Sequence, residues 1–567
     1  MNVVICSINS KYIHSSLAPW CLYAGVGEYC EKSINATVIE GTVNEDIRLV
    51  AKRITEQSPD VLGLCCYIWN IDFVYNLIGL VKAEIHNCKI ILGGPEVSYN
   101  CESILTRQKY IDFIVSGEGE KAFPQLLNCI EKGVEPENIE GINYKCNSGL
   151  HLTPPAVLKD DPVSPYTDEY FKNLNGRITY LETSRGCPYS CAFCLSGRCG
   201  KVRFFDIERA KKDILSLARS GTKTVKFVDR TFNADKSRAK ELYRFIIDNF
   251  NNGNIPQNVC FHFEIAGDIL DRETIEILTN APKGLFQLEI GMQSFNEKTL
   301  NYINRKTDTK KLTENILKLT ENRNMHIHID LIAGLPFEDF ESFKESFNIG
   351  FSLNSNMLQL GFLKLLHGAD MRENKERYVC EFSKEPPYEV ISTPYLSETE
   401  LNILHGVEDA VDRVYNSGRF KRTVDYALNK SGISPFDFFL NFSKFIQKES
   451  TEKITLDRYT EFLFNYIKTL SDVKADELRD VMVCDRLATN ASGKIPEALK
   501  IHDKMLKKYK AFLNSSEEYR QTQKSVRGVA ILYSQNKLVY VDYCLDSIVD
   551  GEYELRFVDI NSLCEFS

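Results

Sequence analysis

Cys187, Cys191 and Cys194 stand at the spacing C-x3-C-x2-C within Thr183-Ser184-Arg185-Gly186-Cys187-Pro188-Tyr189-Ser190-Cys191-Ala192-Phe193-Cys194. Thiolate is the ligand that iron–sulfur clusters use. Three thiolates on one short loop hold three irons of a four-iron cluster and leave the fourth open to a small molecule. Structural zinc is the alternative for such a loop, but zinc wants four closed ligands, usually in two pairs. Cys199 offers a fourth thiol, yet no second C-x-x-C pair or histidine follows nearby. The spacing therefore favours a redox cluster with an open iron. An apolar, strand-like run, Ile178 to Leu181, leads into the loop.

Composition bounds what surrounds this loop. The chain has 567 residues, 43% hydrophobic and 26% charged, which suggests about three to four globular domains. A net charge of -9 argues against a nucleic-acid backbone as partner. No run of about 18 or more apolar residues exists, so no membrane span is expected. The opening Met1-Asn2-Val3-Val4-Ile5 lacks a basic segment and cleavage site and reads as a mature first strand. The 18 cysteines are scattered, Cys65 beside Cys66, which suits reduced thiols in a cytoplasmic location better than a disulfide scaffold. An exposed cluster would also demand low oxygen.

The elements that must position the loop fall into three stretches. Residues 1 to 135 alternate strands and helices. Strands are expected at Val3 to Ser7, Ala36 to Glu40, Asp60 to Tyr67, Lys89 to Gly93 and Ile111 to Ser116, and a helix from Asn44 to Gln57 with Asn44 as its N-cap. This repetition predicts an α/β, doubly wound parallel sheet of Rossmann-like type, whose ligand lies beyond the carboxyl ends of its strands. Residues 136 to 176 are proline-rich and read as a linker with a small hairpin at Ile142 to Tyr144 and Leu150 to Leu152. Residues 177 to 385 carry six further βα units, a partial (β/α)6 TIM-type barrel, with the cysteine loop at a carboxyl strand end. Residues 386 to 567 turn mainly helical, with patterns such as Pro435 to Lys448 and Ile495 to Leu513, and end in a small β tail; they form a C-terminal domain of unknown role.

The cysteine spacing, preceded by Arg-Gly and with Phe193 just before the last cysteine, resembles the signature of the radical S-adenosylmethionine (SAM) superfamily. That resemblance implies a [4Fe-4S] cluster on Cys187, Cys191 and Cys194, with SAM on its open iron. Singly, Gly93-Gly94-Pro95 reads as a turn. Together with Tyr12 to Leu17, Glu96 and Gly117-Glu118-Gly119-Glu120, it resembles the cobalamin-binding domain that precedes the radical core in one large class of these enzymes. The resemblance implies cobalamin contacts from Ser15, Ser16, Tyr67, Asn70, Gly93, Gly94, Glu96, Gly117, Glu118 and Gly119. His14 lies about where the D-x-H-x-x-G motif of cobalamin-dependent mutases supplies a cobalt ligand. Tyr12 replaces the aspartate and no glycine follows at the right step, so His14 is expected to bond protein or corrin rather than cobalt.

Glu264, Gln293 and Asp330 each read singly as a polar strand cap. With Arg305, twelve residues after Gln293, and Asp330-Leu331-Ile332-Ala333-Gly334-Leu335-Pro336, they resemble oxygen-independent coproporphyrinogen dehydrogenase and its relatives. The resemblance makes Glu264 a partner of the SAM ammonium, Gln293 and Asp330 partners of the ribose hydroxyls, and Arg305 the fork on the SAM carboxylate. Asp229-Arg230-Thr231 stands where the superfamily has G-G-E. The tail resembles an uncharacterised domain attached to some cobalamin-type members.

The resemblance as a whole implies reductive cleavage of SAM to a 5′-deoxyadenosyl radical. It implies methyl transfer to an unactivated carbon or a phosphinate, with rearrangement, cyclisation or elimination as the alternative outcome. A non-catalytic cobalamin- or SAM-sensing protein is the reading from another class, and the complete cysteine set speaks against it. The expected partners are an unknown substrate, with a small molecule favoured, and an electron donor such as flavodoxin or ferredoxin.

Overall fold

Alternation along the first strand sorts its side chains into two cores. Val3 and Ile5 pack on one face with Val61, Ile91, Phe123 and Leu127. Val4, Cys6 and Ile8 pack on the other with Leu62, Ile90, Val74 and Leu77. A strand buried on both faces needs helices on both, which is the logic of a doubly wound sheet. In this computed structural model, which describes residues 1–567 other than 148, 200, 450–453, 517–518, 520–527, 544–551 and 564–567, that sheet contains β1 (Asn2–Asn9), β2 (Asn35–Thr42), β3 (Val61–Cys65), β4 (Lys89–Gly93), β5 (Phe113–Val115), β6 (Ile142–Cys146) and β7 (Gly149–His151), in the order β2-β1-β3-β4-β5-β6-β7. The first five run parallel; β6 and β7 add on antiparallel. The hairpin expected inside a linker is thus part of the sheet.

The chain divides into two compact units. The first is Met1–Ala266 with Asn301–Lys306 and Leu363–Thr393; the second is Gly267–Leu300 with Thr307–Phe362 and Pro394–Ser567. Besides the large sheet, the first unit holds β8 (Thr179–Leu181), the two-residue ribbon β9 (Ser184–Arg185) with β10 (Arg203–Phe204), β11 (Thr224–Phe227) and β12 (Cys260–Ile265). Strands β8, β11 and β12 are parallel. The second unit holds β13 (Phe286–Gln293), β14 (His326–Ala333) and β15 (Met357–Phe362), also parallel, with a register shift between Gly291 and Gln293. Six βα strands follow the first sheet, as expected, three in each unit.

The rest of the second unit is helical, with helices such as Glu398–Val411, Pro435–Glu449 and Ala475–Thr489, closed by a three-stranded antiparallel sheet that starts at Gly528–Leu532. The α/β class, the doubly wound first sheet and the helical tail match the reading of the sequence.

Two local expectations need correction, and one helix was not expected. The helix expected from Asn44 is Ile47–Thr55, capped by Asp46, whose carboxylate accepts from Arg48 N; the Asn44 amide instead donates to Ser10 O at 3.3 Å. The helix expected from Ile495 starts at Met505, because Gly493, at φ 62°, and Pro496 break the run before it. Helix Lys421–Ser431 had no local start signal. Its cap is tertiary: buried Asp485 accepts from the backbone N–H of Arg422 and Thr423 and from the Thr423 hydroxyl. Among the described residues no helix is long and apolar enough to cross a membrane.

Candidate active site

The cysteine loop leaves the β9–β10 ribbon, so its two ends are pinned together. Behind β9, buried Asp229 accepts from Thr183 N at 2.9 Å, the Thr183 hydroxyl at 2.7 Å and the Ser184 hydroxyl at 2.5 Å. Burial pushes its carboxyl up to about 6. The residue standing in place of the superfamily's acidic turn therefore holds the strand that presents the loop. Gly186 takes φ 100°, a left-handed turn that glycine makes freely, and Cys187 follows.

All three cysteines are free thiols, Cys191 buried and Cys187 and Cys194 half-buried. Ala192 is tied on both sides: its N–H donates to Ile303 O at 2.9 Å and its carbonyl accepts from Met371 N at 3.0 Å. Two polar side chains reach the sulfurs. Arg305 Nη1 lies 3.7 Å from Cys191 Sγ, and the Thr231 hydroxyl 3.4 Å from Cys187 Sγ. Burial pushes the Cys191 thiol up, Arg305 pulls it down, and Cys187 and Cys194 push it up again. Three thiols close enough to repel as thiolates, one beside a guanidinium, fit a polynuclear metal cluster.

Beyond the strand ends of the first sheet lies an open cavity of about 690 Å³. Its floor comes from the loops after β1, β3, β4 and β5; its opposite wall carries Tyr180, Glu182, Arg185, Lys226, Arg230 and Glu264. Close approach of backbone to backbone shapes the floor. A Cβ on Gly94, at φ 116°, would sit 2.4 Å from Cys66 O, and one on Gly117, at φ 82°, 2.4 Å from Ala156 O. Leu64, Ile91 and Val115 line it with apolar surface. A broad floor of glycine backbone and aliphatic side chains fits a large, flat, mostly apolar ring system such as a corrin.

Not every residue expected to touch cobalamin is free to use its side chain. Gly93, Gly94, Gly117, Glu118, Gly119, Ser15, Ser16 and Tyr67 line the cavity. The Ser15 hydroxyl donates to Ile178 O at 2.7 Å, and Ser16 shares a 2.7 Å bond with Ser7. Glu118 pairs with Arg185 at 3.3 Å and with Arg203, and accepts from Leu158 N. Asn70 and Glu96 are buried and lie off the lining. Asn70 binds the carbonyls of Ile8 and Cys65, each at 3.0 Å, and the Glu96 carboxylate accepts from the Tyr388 hydroxyl. His14 is the histidine on the lining, and its Nδ1 lies 2.6 Å from the Tyr180 hydroxyl. Burial and nearby lysines push its pKa down. Its Nδ1 is thus engaged with protein.

Sequence reasoning did not single out Arg185 and Glu120, although both lie inside quoted motifs. Arg185 bonds Glu120 and Glu182 at 2.7 Å each. It joins the cysteine loop's own strand to the fourth floor loop.

The residues expected on SAM fall in both units. Glu264 and Arg305 lie in the first, where Glu264 lines the cavity 3.8 Å from both Lys226 and Arg230. Gln293 and Asp330 lie in the second. Gln293 ends β13 at φ 72°, just past the register shift, and Asp330 Oδ1 is 3.0 Å from His328 Nε2.

Comparison with known proteins accords with this geometry. Residues 24–127 match the B12 binding domain, residues 181–349 the radical SAM superfamily, and residues 376–548 a protein family of unknown function, DUF4080. The chain thus carries a B12-binding domain, a radical SAM domain and a C-terminal region of that uncharacterised family. These domains imply a [4Fe-4S] cluster, SAM and cobalamin as its cofactors. Among curated relatives, 2-(S-pantetheinyl)-carbapenam-3-carboxylate methyltransferase of Streptantibioticus cattleyicolor is 28% identical over 320 residues, 53% of this chain and 46% of the relative. The cobalamin-dependent radical SAM methyltransferase TokK of Streptomyces tokunonensis is 29% identical over 307 residues, 51% and 44%. The chain spans less than half the length of these relatives. A solved structure of the cobalamin-dependent SAM radical enzyme OxsB with aqua-cobalamin shares the fold at a TM-score of 0.58 and 15% identity, covering 91% of this chain and 82% of that one.

Proposed function

We propose that this chain is a cobalamin-dependent radical SAM methyltransferase acting on a small molecule at an unactivated carbon or a phosphinate. The observation that carries the reading is the cavity. The glycine floor within the B12-binding match and the charged wall from the radical SAM match face the same space. Cofactors that must exchange a radical and a methyl group need one shared, shielded volume. When bound, the cluster with SAM supplies a 5′-deoxyadenosyl radical and cobalamin supplies a methyl group. The chain's residues orient these groups. Cys187, Cys191 and Cys194 hold the cluster. Glu264 receives the SAM ammonium, and Arg305 its carboxylate. Gln293 and Asp330 hold the ribose hydroxyls. Arg185, clamped by three carboxylates, keeps the corrin floor in register with the cysteine loop. Relatives named as methyltransferases favour methyl transfer. Free thiols throughout the described cysteines suit a reducing cytoplasm, where a flavodoxin or ferredoxin supplies electrons.

Anaerobic reconstitution with iron, sulfide and hydroxocobalamin, followed by incubation with methyl-labelled SAM and cell extract, tests the reading. Label is expected in a small-molecule product. SAM cleavage with label in no product would turn the outcome to rearrangement, cyclisation or elimination, and no SAM cleavage under strong reductant would support the sensor.

A further inference from the structure

Arg305 is expected on the carboxylate of SAM, yet its guanidinium already has a partner in the cysteine loop. Nη1 lies 3.7 Å from Cys191 Sγ, and Cys191 is buried. The placement is built in. Ile303 accepts the N–H of Ala192, the residue after Cys191, at 2.9 Å. Asn304 turns the chain with φ 58°, a left-handed conformation asparagine tolerates, and Arg305 follows. The segment that supplies the arginine is therefore hydrogen-bonded to the loop that supplies the thiol. Guanidinium carries only donors and stays charged at every working pH. Thr231, the other donor near the loop, has a single hydroxyl hydrogen, which it gives to Arg230 O at 2.8 Å.

We propose that Arg305 acts on the cluster itself, its guanidinium donating to the Cys191 thiolate and raising the reduction potential of the SAM-free cluster. The inference rests on the cysteines holding a [4Fe-4S] cluster. One-electron reduction adds negative charge to the irons and their thiolates. A fixed cation against one sulfur stabilises the reduced form more than the oxidised one. Hydrogen bonds to cluster sulfurs and local net charge are among the levers that set such potentials. Arg305 thus serves electron entry before SAM arrives, as well as SAM binding afterwards.

The test uses the full chain, reconstituted anaerobically with iron and sulfide and without SAM. It is reduced stepwise with titanium(III) citrate and followed by electron paramagnetic resonance. Wild type is compared with Arg305→Lys, which keeps the charge but not the fork, and Arg305→Met, which removes both. Equal iron and sulfide content is expected, with the midpoint potential falling from wild type to Lys to Met. A Met variant with a full cluster at the wild-type potential overturns the inference. If the Met variant holds less iron, Arg305→Gln decides by the same measurement: a lowered potential supports the inference and an unchanged one overturns it. SAM affinity, measured separately, distinguishes the two roles. Weaker SAM binding at an unchanged potential leaves Arg305 on SAM alone, and a lowered potential at unchanged affinity leaves it on the cluster alone. A wild-type chain that takes up no iron overturns the cluster reading first.

Discussion

Glu338 is fully buried, and both hydrogens that reach it are fixed by other bonds. Ser294 Oγ accepts from Asn296 N and Ser346 Oγ accepts from Phe295 N, so both hydroxyl hydrogens point to Glu338 Oε1, at 2.6 and 2.8 Å. These bonds favour the carboxylate, but burial outweighs them and pushes the carboxyl up to about 7. A raised carboxyl means the native chain holds this proton more tightly than the unfolded chain. Its stabilising effect is therefore full below about pH 4.5 and is lost as pH rises through about 7. Glu338→Gln keeps the acceptor and removes the titration. In urea unfolding of the full chain, the variant is expected to match wild type near pH 5 and exceed it by about 1–3 kcal/mol near pH 8; a difference independent of pH would refute the raised proton affinity. The residue lies four past Gly334, within reach of a motif read from sequence, yet its role depends on Ser294 and Ser346 on other segments. The same limit applies at Glu118 and Glu120. Their glycines told of a backbone floor, but the carboxylates' partners, Arg185 and Arg203, lie 65 residues or more away. The cysteines were legible because a cluster reads spacing within one loop.

At the scale of elements, strand-end turns decide whether the cavity exists. Gly94 closes β4 at φ 116°, and a Cβ there meets the Cys66 carbonyl at 2.4 Å and its nitrogen at 3.1 Å. That backbone cannot swing aside, because Cys66 N donates to Gly93 O at 2.7 Å. Gly94→Ala is expected to destabilise the chain by about 2 kcal/mol or more and to abolish cobalamin uptake while iron content stays near wild type. Gly27 is the control. It lies in helix Ala18–Tyr29 with nothing within 4 Å of its Cβ position, and Gly27→Ala should stabilise by roughly 0.5–1 kcal/mol. Chemical denaturation with metal and cobalamin analysis of both variants checks the pair; a Gly94→Ala chain with full cobalamin uptake would remove that turn from the floor. Strands and loops here were legible because short apolar runs and Gly-Pro turns are local signals. Helix starts were less so. Asn44 and Asp46 are both good caps, and backbone geometry chose Asp46, while Lys421–Ser431 begins on a carboxylate from another helix.

At the scale of the molecule, the tail read as a separate C-terminal domain shares its core with the second set of parallel strands. Phe347 meets Phe436 and Phe439 at ring distances of 5.5 and 6.1 Å, and Phe362 stacks on His405 at 3.6 Å. Polar contacts fix the register: Lys344 pairs with Asp437 at 2.8 Å, Phe436 N donates to Asn348 Oδ1 at 2.9 Å, and Leu358 N to Asn416 Oδ1 at 2.9 Å. Phe347, Phe436 and Phe439 are fully buried. The amphipathic pattern from Glu398 onward showed that these helices have apolar faces, but not what covers them, because a stripe carries no address. Burying a phenylalanine is worth roughly 1.5–3 kcal/mol, and a domain's net stability is only about 5–15 kcal/mol. Losing Phe436 and Phe439 and uncovering Phe347 together would erase much of that margin. A chain ending at Thr393 is therefore expected to lack a cooperative thermal transition and to bind a hydrophobic dye, although every residue expected to hold cluster, SAM or cobalamin is still present. Phe436→Ala in the full chain should cost about 3–5 kcal/mol while leaving a folded protein. A truncated chain that unfolds cooperatively as a monomer and takes up a full cluster would show that the parallel strands close their core without the tail.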